Sequence, residues 1–156
     1  MRKKFRKLLI TGGAGFIGSE FIRQAVAKSY EITAVDCLTY AGDLARLKSV
    51  RKNITYYRTN INSESLLDNI FRKENPDAII HFAAETHVDR SIKDARPFIQ
   101  TNVLGTNNLI HLAVKHNIKK FIHISTDEVY GASLKGRFKE NVHPLNPKNP
   151  YASTKA

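Results

Sequence analysis

Apolar residues recur along this chain in short runs rich in β-branched and aromatic side chains. Five such runs, at residues 8–11, 32–35, 54–57, 78–82 and 121–125, predict strands. Helical spacing fills the gaps between most of them. Phe16, Ile17, Phe21, Ile22 and Val26 predict a helix over 16–29. Ser63, followed by Leu66, Leu67, Ile70 and Phe71, predicts a capped helix over 63–73 that ends before Pro76. Phe98, Val103, Thr106, Leu109, Ile110, Ala113 and Val114 share one face of the longest predicted helix, 97–116. Strands alternating with helices imply an α/β fold with a doubly wound parallel sheet, helices covering both faces. The pattern fails between residues 131 and 150, where Gly131, Gly136, Pro144, Pro147 and Pro150 predict a long loop. Loops of that length are uncommon unless they have a function.

At 156 residues and 42% hydrophobic composition, the chain is expected to form one globular domain with a real core. Cys37 is the sole cysteine, so no internal disulfide exists. The basic start, Arg2 to Lys7, is followed by only Leu8-Leu9-Ile10 before Thr11-Gly12, too short for a secretory signal. No run approaches membrane-spanning length, and the chain is expected to be soluble and cytoplasmic. The net charge of +11 is spread along the chain, without an aromatic-interleaved basic stripe or zinc spacing. It reads as a solvated surface or an attraction for anionic ligands such as nucleotides, not as nucleic-acid binding.

The first strand runs into Thr11-Gly12-Gly13-Ala14-Gly15-Phe16-Ile17-Gly18 and then the first helix. Gly12 suits a tight turn, Gly15 the approach of a pyrophosphate, and Gly18 close packing of helix on sheet. The helix N-terminus would add free N–H groups and partial positive charge. The position between strand and helix makes this a dinucleotide-binding, Rossmann-like signature. Asp36 closes the second strand, where a carboxylate accepts from ribose hydroxyls and repels a 2′-phosphate. NAD is therefore the expected cofactor.

Near the other end lie Thr126-Asp127-Glu128 and Tyr151-Ala152-Ser153-Thr154-Lys155. Residues four apart on a helix share a face. A lysine cation beside Tyr151, together with an oxidised nicotinamide, would favour phenolate. Bringing a phenol from pH about 10 to neutrality requires about 4 kcal/mol, within reach of two cations in a partly dry cleft. Asp127 and Glu128 follow the fifth strand at its carboxyl end, the edge where open α/β sheets bind ligands. Two such carboxylates can serve as acid and base if one is desolvated; a solvated helix start is the plainer reading.

These residues give the chain a family likeness. It resembles the extended short-chain dehydrogenases/reductases and, among them, the dTDP-glucose 4,6-dehydratases. The matching stretches are the glycine turn 11–18, Asp36-Cys37-Leu38-Thr39-Tyr40-Ala41-Gly42, Ala83-Ala84-Glu85-Thr86-His87-Val88-Asp89-Arg90-Ser91-Ile92, Thr101-Asn102-Val103-Leu104-Gly105-Thr106 and Ser125-Thr126-Asp127-Glu128-Val129-Tyr130-Gly131.

The resemblance implies that Tyr151, helped by Lys155 and Thr126, removes the sugar C4 hydroxyl proton while NAD takes the hydride. Glu128 then removes the C5 proton, Asp127 protonates the departing C6 hydroxyl, and the hydride returns to C6. It also implies Phe16 and Ile17 at the pyrophosphate, Asp36, Cys37, Leu38 and Thr39 at the adenosine ribose, and Asn60 and Ile61 at adenine. Phe82, Ala83, Ala84, Thr101, Tyr151 and Lys155 would line the cofactor, and Thr86 and Thr126 would face the substrate.

Two positions depart from the family pattern in kind. Asn60 stands where the family has Asp, with its side-chain carbonyl as substitute acceptor. Thr86 replaces Ser and keeps the hydroxyl. The family also continues past Tyr-x-x-x-Lys with further strands and a substrate domain, so residues 1–156 are expected to be its cofactor half. On that expectation the strand at 121–125 is an exposed edge, and half of the family's homodimer interface is missing. Lys155 is likewise expected to lack a helical turn to hold it. Three functions remain open at this point: a dTDP-glucose dehydratase, a non-catalytic NAD-binding remnant, and a UDP- or GDP-sugar 4,6-dehydratase or 4-epimerase. The adjacent carboxylates count against the epimerase, which needs no elimination acid.

Overall fold

The computed structural model describes residues 5–132 and 136–156. They divide into two compact units, Met1–Ala83 with Gly105–Ile124, and Ala84–Leu104 with Ser125–Ala156.

The first unit holds five parallel strands in the order β3-β2-β1-β4-β5. They are β1 (Lys7–Thr11), β2 (Glu31–Asp36), β3 (Ile54–Arg58), β4 (Ala78–His81) and β5 (Lys120–His123). Each run predicted as a strand overlaps one, with ends that differ by at most two residues. The central strands β1 and β2 are buried on both faces, as continuous apolar runs in a parallel sheet require. Side chains alternate across the sheet and divide the core in two. Leu8, Ile10, Ile32, Ala34 and Ile80 pack with Ile22 and Ala25 of α1 (Phe16–Ala27) and with Leu47 and Val50 of a 3₁₀ segment, Leu44–Asn53. Leu9, Val35 and Ile79 pack on the other face against Leu67, Ile70 and Phe71 of α2 (Glu64–Glu74) and Leu109 and Leu112 of a later helix, α5 (Thr106–Lys115). The doubly wound reading therefore holds.

Asp68 of α2 joins the two helices on that face. It lies 2.7 Å from His116 Nε2 and 3.0 Å from Lys115 Nζ, and pairs with Arg72 one turn along α2. Hydrogen bonds from His116 and Lys115 hold its carboxyl down at about 2. On the opposite face, an apolar cleft beside β5 is lined by Phe5, Phe21, Ala25, Ile80 and Ile122. Ile122 is among the exposed hydrophobics, as an edge strand would leave it.

Two local expectations differ from the structure. The long helix over 97–116 is divided into a short α4 (Arg96–Phe98), a π-helical stretch at Ile99–Gly105, and α5. Apolar spacing does not distinguish π from α winding, and within the stretch Ile99, Val103 and Leu104 are exposed while Asn102 is buried. Ser63 is the N-cap residue of α2, yet its side chain makes no cap bond; its backbone N–H donates to Asn60 O at 3.0 Å. Two elements had no signal strong enough to predict, the 3₁₀ segment at 44–53 and α3 (Val88–Lys93).

The second unit contains α3, α4, a 3₁₀ turn at Asp127–Tyr130 and α6 (Pro150–Lys155). Residues 136–149 form no regular element, in keeping with the predicted loop. Among the described residues, no helix is long and apolar enough to cross a membrane.

Candidate active site

In the first unit, Thr11 ends β1 and Gly12 turns the chain at φ +67°, a left-handed conformation that L side chains rarely adopt. A Cβ on Gly12 would lie 2.6 Å from Ala83 N and 2.8 Å from Phe82 C. The turn closes with Gly15 N–H donating to Gly12 O at 3.1 Å. A Cβ on Gly18 would sit 2.2 Å from that same Gly12 O. The first turn of α1 therefore rests directly on the glycine turn. Gly15 caps α1 without a side chain, and the first turn of α1 carries no acidic residue. No side chain competes there for the backbone N–H groups, the condition an anion site requires. Phe16 and Ile17 are 81% and 62% exposed beside it.

Asp36 does more than wait for a ribose. One carboxylate oxygen accepts from Ala14 N–H at 2.9 Å and the other from Leu38 N–H at 2.8 Å. It thereby joins the glycine turn to the 36–39 loop, where Leu38 has φ +56° and Cys37 is half-buried. Each oxygen keeps a further lone pair for a ligand hydroxyl. Thr39 is exposed at the far end of this loop.

Asn60 spends its side-chain carbonyl locally, accepting from Asn62 N–H at 2.9 Å in an Asx turn. The acceptor expected for adenine is therefore already half used. Ile61 turns its side chain into the core against Gly105, while its carbonyl accepts from Asn108 Nδ2 at 2.6 Å. Phe82 packs on Phe21 with ring centroids 5.4 Å apart.

His81 was not singled out by its sequence. It is fully buried and joins Thr11 Oγ1 at 2.6 Å to Thr106 Oγ1 at 2.9 Å. Ala83 N–H donates to the same Thr11 hydroxyl at 3.3 Å. A histidine in an apolar strand carries no periodic signal, so only its partners reveal this role.

In the second unit, Thr126 caps the 3₁₀ turn at Asp127–Tyr130, accepting from Glu128 N–H at 3.3 Å. Its hydroxyl donates to Asp127 Oδ1 at 3.4 Å. Asp127 and Glu128 are both exposed, so neither is desolvated by the chain itself. Gly131, at φ +83°, ends the turn, and Asn146 N–H donates back to Val129 O at 2.9 Å.

Helix α6 carries Tyr151 and Lys155 one turn apart, and packs against the 3₁₀ turn, α3 and α4. Both residues are buried, at 9% and 6% exposure, and Tyr151 meets Phe98 edge-on. The expectation that Lys155 lacks a turn to hold it is corrected here. One full turn forms because its N-terminal N–H groups find partners: Ser91 Oγ takes Tyr151 N–H at 3.1 Å, and Asn149 Oδ1 takes Ala152 N–H at 2.7 Å. Ser125 Oγ then donates to Lys155 O at 3.1 Å. A buried Asn102 bridges Thr154 Oγ1 to the backbone of Glu85, the residue before exposed Thr86. Ala84 and Thr101 are half-buried in the same unit. Asn102, Ser91 and Asn149 were also missed as site residues. Asn149 before Pro150 did carry the signature of an N-cap followed by N1 proline.

Burial lowers the Lys155 ammonium to about 8. Unfolded lysine titrates at about 10.4, so burial opposes the charged form. That destabilising contribution is complete below pH 8 and fades as pH rises to about 10.4. Lys155→Met is expected to raise the melting temperature at pH 7, and to raise it less above about pH 10. Thermal melts of both proteins at the two pH values check this; a lower melting temperature for the variant at pH 7 would contradict it. A residue kept at a cost to stability is typical of a functional site.

Among the described residues, no group of three or more His, Cys, Asp or Glu side chains is arranged to hold a metal ion.

The model of the GDP-mannose 4,6 dehydratase family matches residues 9–156. A dTDP-glucose 4,6-dehydratase of Streptomyces niveus is 43% identical, the match covering 96% of this chain and 46% of that protein. The solved structure of DesIV, a dTDP-glucose 4,6-dehydratase from Streptomyces venezuelae with NAD and TYD bound, superposes with a TM-score of 0.90 at 45% identity. It is covered to 48% of its length by 96% of this chain. A UDP-Glc/GlcNAc 4-epimerase from Campylobacter jejuni superposes equally well, with a TM-score of 0.91, at 32% identity, over 96% of this chain and 46% of that one. The chain thus spans about half the length of the relatives it matches. Its glycine turn, its Thr-Asp-Glu turn and its Tyr-x-x-x-Lys helix all fall within the matched residues, and the chain belongs to the GDP-mannose 4,6 dehydratase family.

Proposed function

We propose that this chain carries the NAD-binding and proton-transfer residues of a nucleotide-sugar 4,6-dehydratase acting on dTDP-glucose. The observation that carries the reading lies within the second unit. The Tyr151–Lys155 helix packs on a turn presenting Asp127 and Glu128, so one small unit holds both the residues for alcohol oxidation and those for elimination. An epimerase needs only the first set. The greater identity to dehydratases than to the epimerase supports the same choice.

The first unit fits NAD. Gly12 and Gly18 stand where any Cβ would meet backbone, and the start of α1 has no side-chain cap. The N–H groups of Phe16 and Ile17 would hold the pyrophosphate, and Asp36 the adenosine ribose. Bound NAD supplies a hydride acceptor for C4 and later a hydride donor for C6.

The chain's residues move the protons. Tyr151 takes the C4 hydroxyl proton, with the Lys155 cation stabilising its phenolate. Thr126 orients the same hydroxyl. The C4 ketone acidifies C5, and Glu128 removes that proton. Asp127 protonates the C6 hydroxyl as it leaves as water. Exposure of both carboxylates in the free chain suits them to meet a sugar from solvent. The exposed Ile110 and Val114 of α5 support pairing with a second copy of the chain.

Incubation with NAD and dTDP-glucose is expected to yield a nucleotide sugar lighter by one water, detected by mass spectrometry, with NAD unchanged overall. A product of unchanged mass but inverted C4 would favour an epimerase. NAD binding without turnover of dTDP-, UDP- or GDP-sugars would favour a cofactor-binding module.

A further inference from the structure

Asn149 uses both ends of its carboxamide. Its Oδ1 accepts from Ala152 N–H at 2.7 Å and caps α6. Its Nδ2 donates to Glu128 Oε2 at 3.0 Å. Both partners fix the orientation, because Ala152 offers only a proton and the carboxylate offers only lone pairs. The remaining N–H groups of the first turn are accounted for. Pro150 has none, and Tyr151 N–H is held by Ser91 Oγ. Glu128 therefore faces the capping side chain itself, rather than the bare helix end.

We propose that Asn149 is a positioning residue for the elimination step, tying the carboxylate of Glu128 to the helix that carries Tyr151. The proposal rests on the dehydratase reading above. No other common capping residue does both tasks. Serine caps but lacks an N–H and the reach to Glu128. Aspartate caps but sets one carboxylate against another. Alanine does neither. The effect of the bond falls on a side chain that is otherwise exposed on its turn, with many rotamers open to it. Held by Asn149, Glu128 starts from one orientation relative to the oxidised sugar, and loss of such positioning slows a proton transfer without touching its chemistry.

Asn149→Ser separates this from a structural role. The cap survives, so the melting temperature and C4 oxidation, read as transient NADH absorbance, are expected to stay close to native. Elimination, read as incorporation of solvent deuterium at C5 and loss of water, is expected to fall about tenfold. Asn149→Ala should lose both cap and positioning, lowering stability as well. An unchanged ratio of elimination to oxidation in Asn149→Ser would overturn the proposal.

A second measurement does not depend on turnover. In ¹H–¹⁵N spectra of the chain, the Asn149 side-chain amide should shift on Glu128→Gln and stay in place on Glu140→Gln. If dTDP-glucose is not turned over, the functional reading fails and this spectrum alone decides about Asn149: a shift supports the bond, and no shift rejects it.

Discussion

Replacing Glu128 by glutamine is expected to lower dehydration of dTDP-glucose about 10²–10⁴-fold, the usual contribution of a positioned general base, while C4 oxidation stays within a few-fold of native. Glutamine keeps the length, the planarity and an acceptor oxygen for Asn149 Nδ2, so the turn at Asp127–Tyr130 has no reason to rearrange. It removes only the capacity to accept the C5 proton. Oxidation at C4 draws on Tyr151 and Lys155, which sit on a different element with their own hydrogen bonds. The two half-reactions should thus separate. With the variant, the 4-keto intermediate and NADH should accumulate together, visible as a persistent absorbance of reduced nicotinamide in single-turnover kinetics. Native dehydration rates would remove Glu128 from the role of base. Loss of oxidation and elimination in equal measure would instead point to a disturbed substrate pose.

Gly18→Ala is expected to cost about 3 kcal/mol of stability, the upper part of the usual overpacking range, and about 10 °C in melting temperature. The added Cβ would lie 2.2 Å from Gly12 O and 3.0 Å from Gly12 C. Both obstacles are backbone, so no rotamer change relieves them. Either α1 lifts from the turn or Gly12 moves, and Gly12, at φ +67°, has its own Cβ position blocked by Ala83 N. Each response displaces the N–H groups offered to a pyrophosphate. The NAD dissociation constant should rise at least about tenfold, the equivalent of 1.4 kcal/mol. Gly15→Ala is the informative contrast, since its Cβ would meet only Gly12 O, at 3.1 Å. Calorimetry with and without NAD checks both variants; a native melting temperature for Gly18→Ala would show that the turn is softer than its contacts indicate.

Much of the fold could be read from the order of residues. Runs such as Leu8-Leu9-Ile10 and Ala78-Ile79-Ile80 are apolar at every position, which is what a strand buried on both faces needs. The glycines at 12 and 18 were legible because a backbone constraint at each excludes a side chain, and such exclusions show in the residue type. Boundaries were less legible. Residues 97–116 carry apolar residues at near-helical spacing on both sides of the π-helical stretch at Ile99–Gly105, so spacing alone suggested one helix. Ser63 has the right identity for a cap, but the preceding Asn60 turn directs the backbone differently.

The candidate site divides along the same line. Residue identity along the chain determined which groups could do chemistry: a phenol and an amine four residues apart, two adjacent carboxylates, and a glycine turn between strand and helix. Those features are local, set by chemical type and short spacing. The tertiary structure alone decided what those groups touch and how wet they are. It buries Lys155 and brings Ser91, 60 positions away, to the Tyr151 amide. It also links Thr11, His81 and Thr106 through the buried His81 ring and sets Asn149 against Glu128. Such partners are distant in sequence and meet only through packing, so no local pattern encodes them. Desolvation and hydrogen bonding at each group follow from that packing.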